Sequence, residues 1–318
     1  MSQQSSSHVS GPPYASRTAN MGGVPDIIPD IPICAVLIVI YACFAATNMA
    51  IFQINQRRGH KFIMSAMLFG FSMARITTLS LRIAWANHQH NVRLAMAANI
   101  LVNAGILVVY VVNLIFAQRI LRAVQPSVGW HPSISIILKV FYFGIFSALV
   151  CVITAIVLTS YTLDTYTLMA CRDILLAAST YLLVFTTLPI WLLAVAHFLL
   201  PRANDAELFG HGSMRTKVII VTLSSCLCIL IAGFKTGVNW ETPRAITDPA
   251  WYHTKAVFYC FNFVLEILIL CLLTFTRVDK RFHIPNGSNK RGDYSQPNPN
   301  NNLSAEKGNQ SDDTAFGV

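Results

Sequence analysis

Charge is what this sequence has least of. Only 12% of its 318 residues are Asp, Glu, Lys or Arg, about half of the ~25% found in a typical soluble domain. The shortage is uneven: long apolar runs alternate with short polar stretches, while residues 1–24 and 277–318 are polar throughout. Soluble folds have no use for repeated runs without charge, whereas a helix crossing ~30 Å of hydrocarbon needs about 20 such residues.

Other absences narrow the chemistry. Of the histidines, only His197 falls inside an apolar run, so facing histidines for intramembrane haem and three N/O ligands for a catalytic zinc are missing. The seventh run carries Glu266 where a retinal protein carries its lysine, and Lys255 stands at that run's edge. No Ser–His pair recurs at depth for nucleophilic hydrolysis. Cys226-Leu-Cys228 lacks zinc-site spacing, and most of the eight cysteines sit in apolar runs as small hydrophobes. No catalytic residues and no cofactor are therefore expected. The start, MSQQSSSHVSGPPYASRTANMGG, has no apolar core of a cleavable leader, so the first membrane helix is expected to direct insertion.

What is present is a series of seven apolar runs, at about 31–54, 61–84, 94–117, 135–160, 173–200, 217–235 and 255–276, each long enough to span a bilayer. The expected fold is all-α, a polytopic bundle of seven transmembrane helices over 25–282. A disordered N-terminal tail (1–24) and a disordered C-terminal tail (283–318), rich in Asn, Gly, Ser and Asp, flank it. Pro189 is expected to kink the fifth helix.

Orientation follows from Lys and Arg, which favour cytosolic loops. Arg57, Arg58 and Lys61 occupy the first loop, Arg119 and Arg122 the third, Arg202, Arg215 and Lys217 the fifth, and Arg277, Lys280 and Arg281 follow the last run. The alternate loops are poorer in cations and carry Asp164, Glu241 and Asp248. The N-terminus is thus expected outside and the C-terminus in the cytosol. Trp85, Trp240 and Trp251 would then mark the outer interface, and the acceptor patterns at Asn286, Asn302 and Asn309 would stay unglycosylated. The formal charge of +9 is spread over loops and tail rather than gathered on one face, which suits anionic lipid headgroups and gives no nucleic-acid surface.

An ionisable group at membrane depth is costly unless paired or wetted. Glu266 lies near the middle of the seventh run and Arg75 within the second, at depths that differ by about 6 Å at ~1.5 Å per residue. A Glu266–Arg75 pair is expected. Lys255, Tyr259, Asn262 and Glu266 share one helical face. Arg75 and Arg82, seven apart, share another, and Asn99 and Asn103 lie one turn apart on the third run. These eight residues are the candidate ligand-binding set, lining a polar cavity open to the outside. The competing expectation is interhelical glue for the asparagines and snorkelling to the interface for Arg82 and Lys255.

Several strings carry a resemblance. They are Gln56-Arg57-Arg58-Gly59-His60-Lys61-Phe62, Met73-Ala74-Arg75-Ile76, Arg82-Ile83-Ala84-Trp85-Ala86 and Asn113-Leu114-Ile115-Phe116-Ala117-Gln118-Arg119. Gly129-Trp130-His131-Pro132, Asp248-Pro249-Ala250-Trp251-Tyr252-His253 and Arg277-Val278-Asp279-Lys280-Arg281-Phe282-His283 follow. Over about residues 24–295 the sequence resembles a fungal family of seven-helix membrane proteins of unknown function, whose members are often labelled family C-like G-protein-coupled receptors. The resemblance implies a seven-helix fold and a fungal source. The third run ends Gln118-Arg119-Ile120, where familiar receptors carry an acidic residue, Arg and an aromatic. With only a short N-terminal tail, a ligand is expected to bind among the helices or outer loops.

Two main functional expectations follow. A receptor-like sensor, in the plasma membrane, would meet a cytosolic signalling partner at its basic inner loops, its ligand unknown. A transporter or lipid-translocating protein would use Glu266 and Arg75 at membrane depth. A third reading makes the chain a scaffold whose tail recruits partners.

Overall fold

A computed structural model of the chain describes residues 11–16, 18–60, 62–199, 207–288 and 290–294, without the side chains of 198 and 199. Seven of its helices are long and apolar enough to cross a membrane: α1 Ile27–Arg57, α2 Ile63–Asn87, α3 Val92–Val124, α4 Pro132–Tyr161, α5 Thr165–His197, α6 Met214–Trp240 and α7 Lys255–Phe275. A helix satisfies its backbone polar groups internally, which hydrocarbon demands. The protein is therefore an all-α, multi-pass membrane protein.

Polar residues set the helix ends. The Asn91, Asp164 and Ser213 side chains accept backbone N–H groups at the starts of α3, α5 and α6, each satisfying a donor that the first turn leaves unpaired. Pro132 opens α4, where its missing N–H costs nothing. The largest departure from the sequence boundaries is at α5, expected from 173 and found from Thr165. Arg172 and Asp173 read as a helix end, yet both are exposed and α5 runs through them. Pro189 is held inside α5, which stays α-helical to Ala194 and then widens into a π-helical turn, Val195–Leu199.

In the bundle α1 packs on α2, α4 on α5, α5 on α6, and α7 lies against α6 and α1. Central α3 touches α2, α4, α5 and α6. Its most apolar window is 61% buried against 17% for that of α4, which leaves Val140, Phe143 and Phe146 of α4 facing outward, as a lipid-exposed surface requires. Gly144 lets α4 approach the Tyr181 ring of α5, whose hydroxyl donates to the Phe141 carbonyl at 2.8 Å, the close approach that small residues permit between membrane helices.

The described parts of both polar ends pack on the bundle. Residues 11–16 and 18–24, expected to be disordered, run as a strap across the N-terminal face. The strap is pinned by Tyr14 N–H to the Ser160 carbonyl, Ala19 N–H to that of Arg244 and Gly22 N–H to that of His253, with a single bridge between Thr18 and Ala245. At the opposite face the chain after α7 packs as far as Tyr294, well past the expected tail boundary at 283. Tyr294 is buried between Trp130 and Phe209, and the Glu207 carboxylate accepts N–H from Gly292 and Tyr294. Backbone pairing hidden in a polar, Asn- and Gly-rich stretch leaves no periodicity to read. Asn286 donates to the Gly59 carbonyl at 2.5 Å; Lys61, Arg202, Asn302 and Asn309 lie outside the described residues.

Candidate functional site

Arg75 of the second run and Glu266 of the seventh stand well inside their runs, and the fold brings the two together. Arg75 and Glu266 are both fully buried and form a bidentate pair, Nε to Oε2 at 2.6 Å and Nη2 to Oε1 at 2.5 Å. The Tyr41 hydroxyl of α1 donates to Glu266 Oε2 at 3.3 Å and to the Phe263 carbonyl at 3.1 Å. Arg75 Nη1 donates to the carbonyls of Leu101 and Val102, each at 3.1 Å. Its guanidinium also faces the rings of Phe71 and Phe263. Planar, five-donor Arg can satisfy a carboxylate and two carbonyls at once, which a lysine cannot.

This arrangement shapes two helices. α3 is interrupted at Gly105 and Ile106, between the segments Val92–Ala104 and Leu107–Val124, beside the carbonyls that Arg75 engages. A Cβ at Gly105 would stand 3.0 Å from the Arg75 guanidinium carbon, so glycine lets the cation reach the helix backbone. α7 in turn widens into a π-helical turn at Cys260–Val264, directly before Glu266. Such turns expose carbonyls to outside donors, and Phe263 takes one from Tyr41.

A second network lies nearer the N-terminal face. Arg82 meets Asp30 Oδ1 through Nη2 at 3.1 Å and Nε at 3.3 Å, and donates to the Gly22 carbonyl of the strap at 2.9 Å. Lys255 reaches Asp26 and Asp30, both at 2.6 Å. Tyr259 donates to Asp30 Oδ1 at 2.5 Å and contacts Cys34 Sγ at 3.3 Å. Arg82 and Lys255 are thus both ion-paired. The sequence reading missed Asp26 and Asp30 because it began the first helix at 31, beyond both. Two carboxylates four apart beside Pro25 and Pro29 were the available signal.

Between α3, α4, α5, α6 and α7, beneath the strap, lies a cavity of about 1210 Å³. Asn99, Asn103, Lys255 and Asn262 line it, whereas Arg75, Arg82, Tyr259 and Glu266 stand behind its wall. Of the eight sequence candidates, Asn99, Asn103 and Asn262 only line the cavity, Arg75, Arg82, Tyr259 and Glu266 belong only to the networks, and Lys255 does both. The lining is predominantly apolar, not polar as expected, because the strongest charges are spent on one another. Asn103 donates to the Asn99 carbonyl at 3.0 Å. Buried Asn262 donates to the Phe258 carbonyl at 3.0 Å and to Met21 Sδ at 3.3 Å, while its amide oxygen meets no donor among the described residues. Lys235 of α6, which the sequence reading placed at a helix end, also lines the cavity.

Among the described residues the centre of the C-terminal face is closed by aromatic and hydrogen-bonded contacts, with a smaller cleft of about 180 Å³ between α5 and α6. Phe116 stacks between Phe62 and Phe282, Arg119 donates to the Phe282 carbonyl at 2.5 Å, and Lys217 donates to the Phe209 carbonyl. His60 and His283 pack edge to face, ring centroids 4.3 Å apart. Burial, with His60, Arg119 and His211 nearby, lowers the His283 pKa to about 4.

Residues 211–283 match a family described as "Protein of unknown function (DUF3112)". The match covers α6, α7 and the turn that follows, including Lys235, Lys255, Tyr259, Asn262 and Glu266. No curated protein and no solved structure matches the chain.

Proposed function

We propose that this protein is a receptor-like sensor whose ligand occupies the cavity beneath the N-terminal strap. The observation that carries the reading is one-sidedness: a large cavity at one face and an aromatic and hydrogen-bonded plug at the other. Occupancy that favours one packing of α3, α5 and α6 would shift a population of helix arrangements. The loops of the C-terminal face would then present that change to a cytosolic partner. The reading involves no catalytic step.

The orientation that goes with it puts the N-terminus outside, at the plasma membrane. Its support is the count of Lys and Arg in and beside the loops: Arg57, Arg58, Arg119, Arg122, Arg215 and Lys217 lie on the C-terminal side, against Arg93, Arg172 and Arg244 on the other.

The transporter reading has less support. It needs Arg75 and Glu266 to meet a substrate, yet both are fully buried, mutually saturated and absent from the cavity lining.

The test is coupling between faces. Asn103→Trp, in full-length protein in nanodiscs, fills part of the cavity. Hydrogen exchange in residues 207–213 and 278–294 should change, though these lie at the far face. Exchange that differs only around Asn103 would count against a sensor.

A further inference from the structure

The two ionic networks behind the cavity differ in charge balance. In the outer one two cations, Arg82 and Lys255, meet two carboxylates, Asp26 and Asp30. In the deeper one Arg75 meets Glu266, and Lys235 arrives as a second cation. Its ammonium approaches the Val102 carbonyl at 3.5 Å, the same oxygen that accepts from Arg75 at 3.1 Å. The first distance is at the outer limit of a hydrogen bond. Among the described residues no carboxylate lies within 4 Å of the Lys235 ammonium.

Two cations thus share one anion at membrane depth. α6 ends at Trp240, so Lys235 sits about 7.5 Å below that end at ~1.5 Å per residue. An unbalanced charge there is costly unless something compensates it. Lys235 differs from Arg75 in one decisive respect: it lines the cavity, so its compensating anion can come from outside the chain. The rest of the wall is largely apolar, with Ile106, Leu149, Ile156 and Leu182 among its residues.

We propose that the cavity binds an amphipathic monoanion, a long-chain carboxylic acid, with its carboxylate on Lys235 and its chain along the apolar wall of α3, α4 and α5. The proposal rests on the cavity being the ligand site and names the class of ligand. One negative charge balances the one surplus cation. A phosphate monoester carries about −1.5 to −2 and would overshoot, a neutral alcohol or ester leaves Lys235 uncompensated, and a sugar mismatches the apolar wall. An ammonium–carboxylate contact in a site of low dielectric gives selectivity for acid over ester.

Photolabelling tests this. Full-length protein in phosphatidylcholine nanodiscs is exposed to hexadecanoic acid bearing a diazirine, or to its methyl ester, and attachment sites are mapped by peptide mass spectrometry. The acid should label residues 96–107 and 232–239, and unlabelled hexadecanoic acid should compete. Lys235→Met should cut that labelling roughly tenfold or more, and Lys235→Arg should retain it. Removing the surplus cation should leave the ligand-free melting temperature equal or higher; a fall would make Lys235 a structural residue and overturn the proposal. Equal cavity labelling by acid and ester, unchanged in Lys235→Met, would also overturn it while leaving the cavity as a ligand site. Labelling confined to lipid-facing residues such as Phe143 and Phe146 would remove the cavity as a site altogether, and the sensor reading with it.

Discussion

Glu266 is fully enclosed within the bundle. Both of its oxygens are taken by Arg75, and Tyr41 closes one side. Glu266→Gln leaves the Arg75 cation buried without an anion, for which a loss of about 3–5 kcal/mol is expected. Thermal melting in detergent should register it as a large drop. Replacing Arg75 as well, as Arg75→Met with Glu266→Met, should recover part of the loss. A Glu266→Gln protein that melts like wild type would show that the pair does not hold the bundle. Gly105→Ala attacks the same pair from the backbone side. A guanidinium end could ordinarily swing clear of a new methyl, but this one is tied to a carboxylate and two carbonyls. A cost of about 1–3 kcal/mol is expected, as for overpacking a filled site. Asp30 fell just outside the expected first span and Lys235 at the last position of the sixth, where charge needs no explanation.

At the scale of elements, the irregular turns of α3 and α7 lie where polar side chains bond the helix backbone. The break in α3 at Gly105 and the π-helical turn in α7 flank the Arg75–Glu266 pair, and neither interrupts the hydropathy pattern from which helices are read. The strap shows a similar dependence. Gly22 has φ +79°, and a Cβ there would strike the Phe258 ring, which lies 4.1 Å from the Arg82 guanidinium carbon. Gly22→Val should lift the strap, seen as faster protease cleavage within residues 11–24. The segment after α7 should respond to pH. The folded His283 pKa of about 4 lies below the ordinary 6.5, so below pH 6.5 the unfolded segment binds protons that the folded one does not. Its stability is complete above pH 6.5 and declines as pH falls from 6.5 to 4. Allowing for solvent screening, the loss should amount to roughly 1–2 kcal/mol. Protection factors at residues 278–294, taken relative to the intrinsic exchange rate at each pH, should fall between pH 7 and 5, and His283→Asn should flatten that response.

At the scale of the whole molecule, orientation decides what the cavity can sense. With the C-terminal face in the cytosol, protein made in a eukaryotic cell should show no mobility shift on glycosidase treatment, and a C-terminal tag should be reached by antibody only after permeabilisation. A shift lost on replacing Asn286, Asn302 and Asn309 would reverse the orientation and turn the cavity inward. The number of spans and the all-α class were determined by the sequence alone, because hydrocarbon forces every crossing segment into a long apolar run with its backbone bonded internally. The pairing of Arg75 with Glu266 was also legible, since two lone charges at similar depth have few other ways to be tolerated. Only the tertiary structure decided which polar residues face one another and which face empty space. It placed Asp26 and Asp30 on Lys255 and Arg82, sealed Glu266 away from the cavity, and left Lys235 on its wall. That division depends on how helices far apart in the chain rotate and break against each other, and periodicity along one helix carries no record of the partner it will meet.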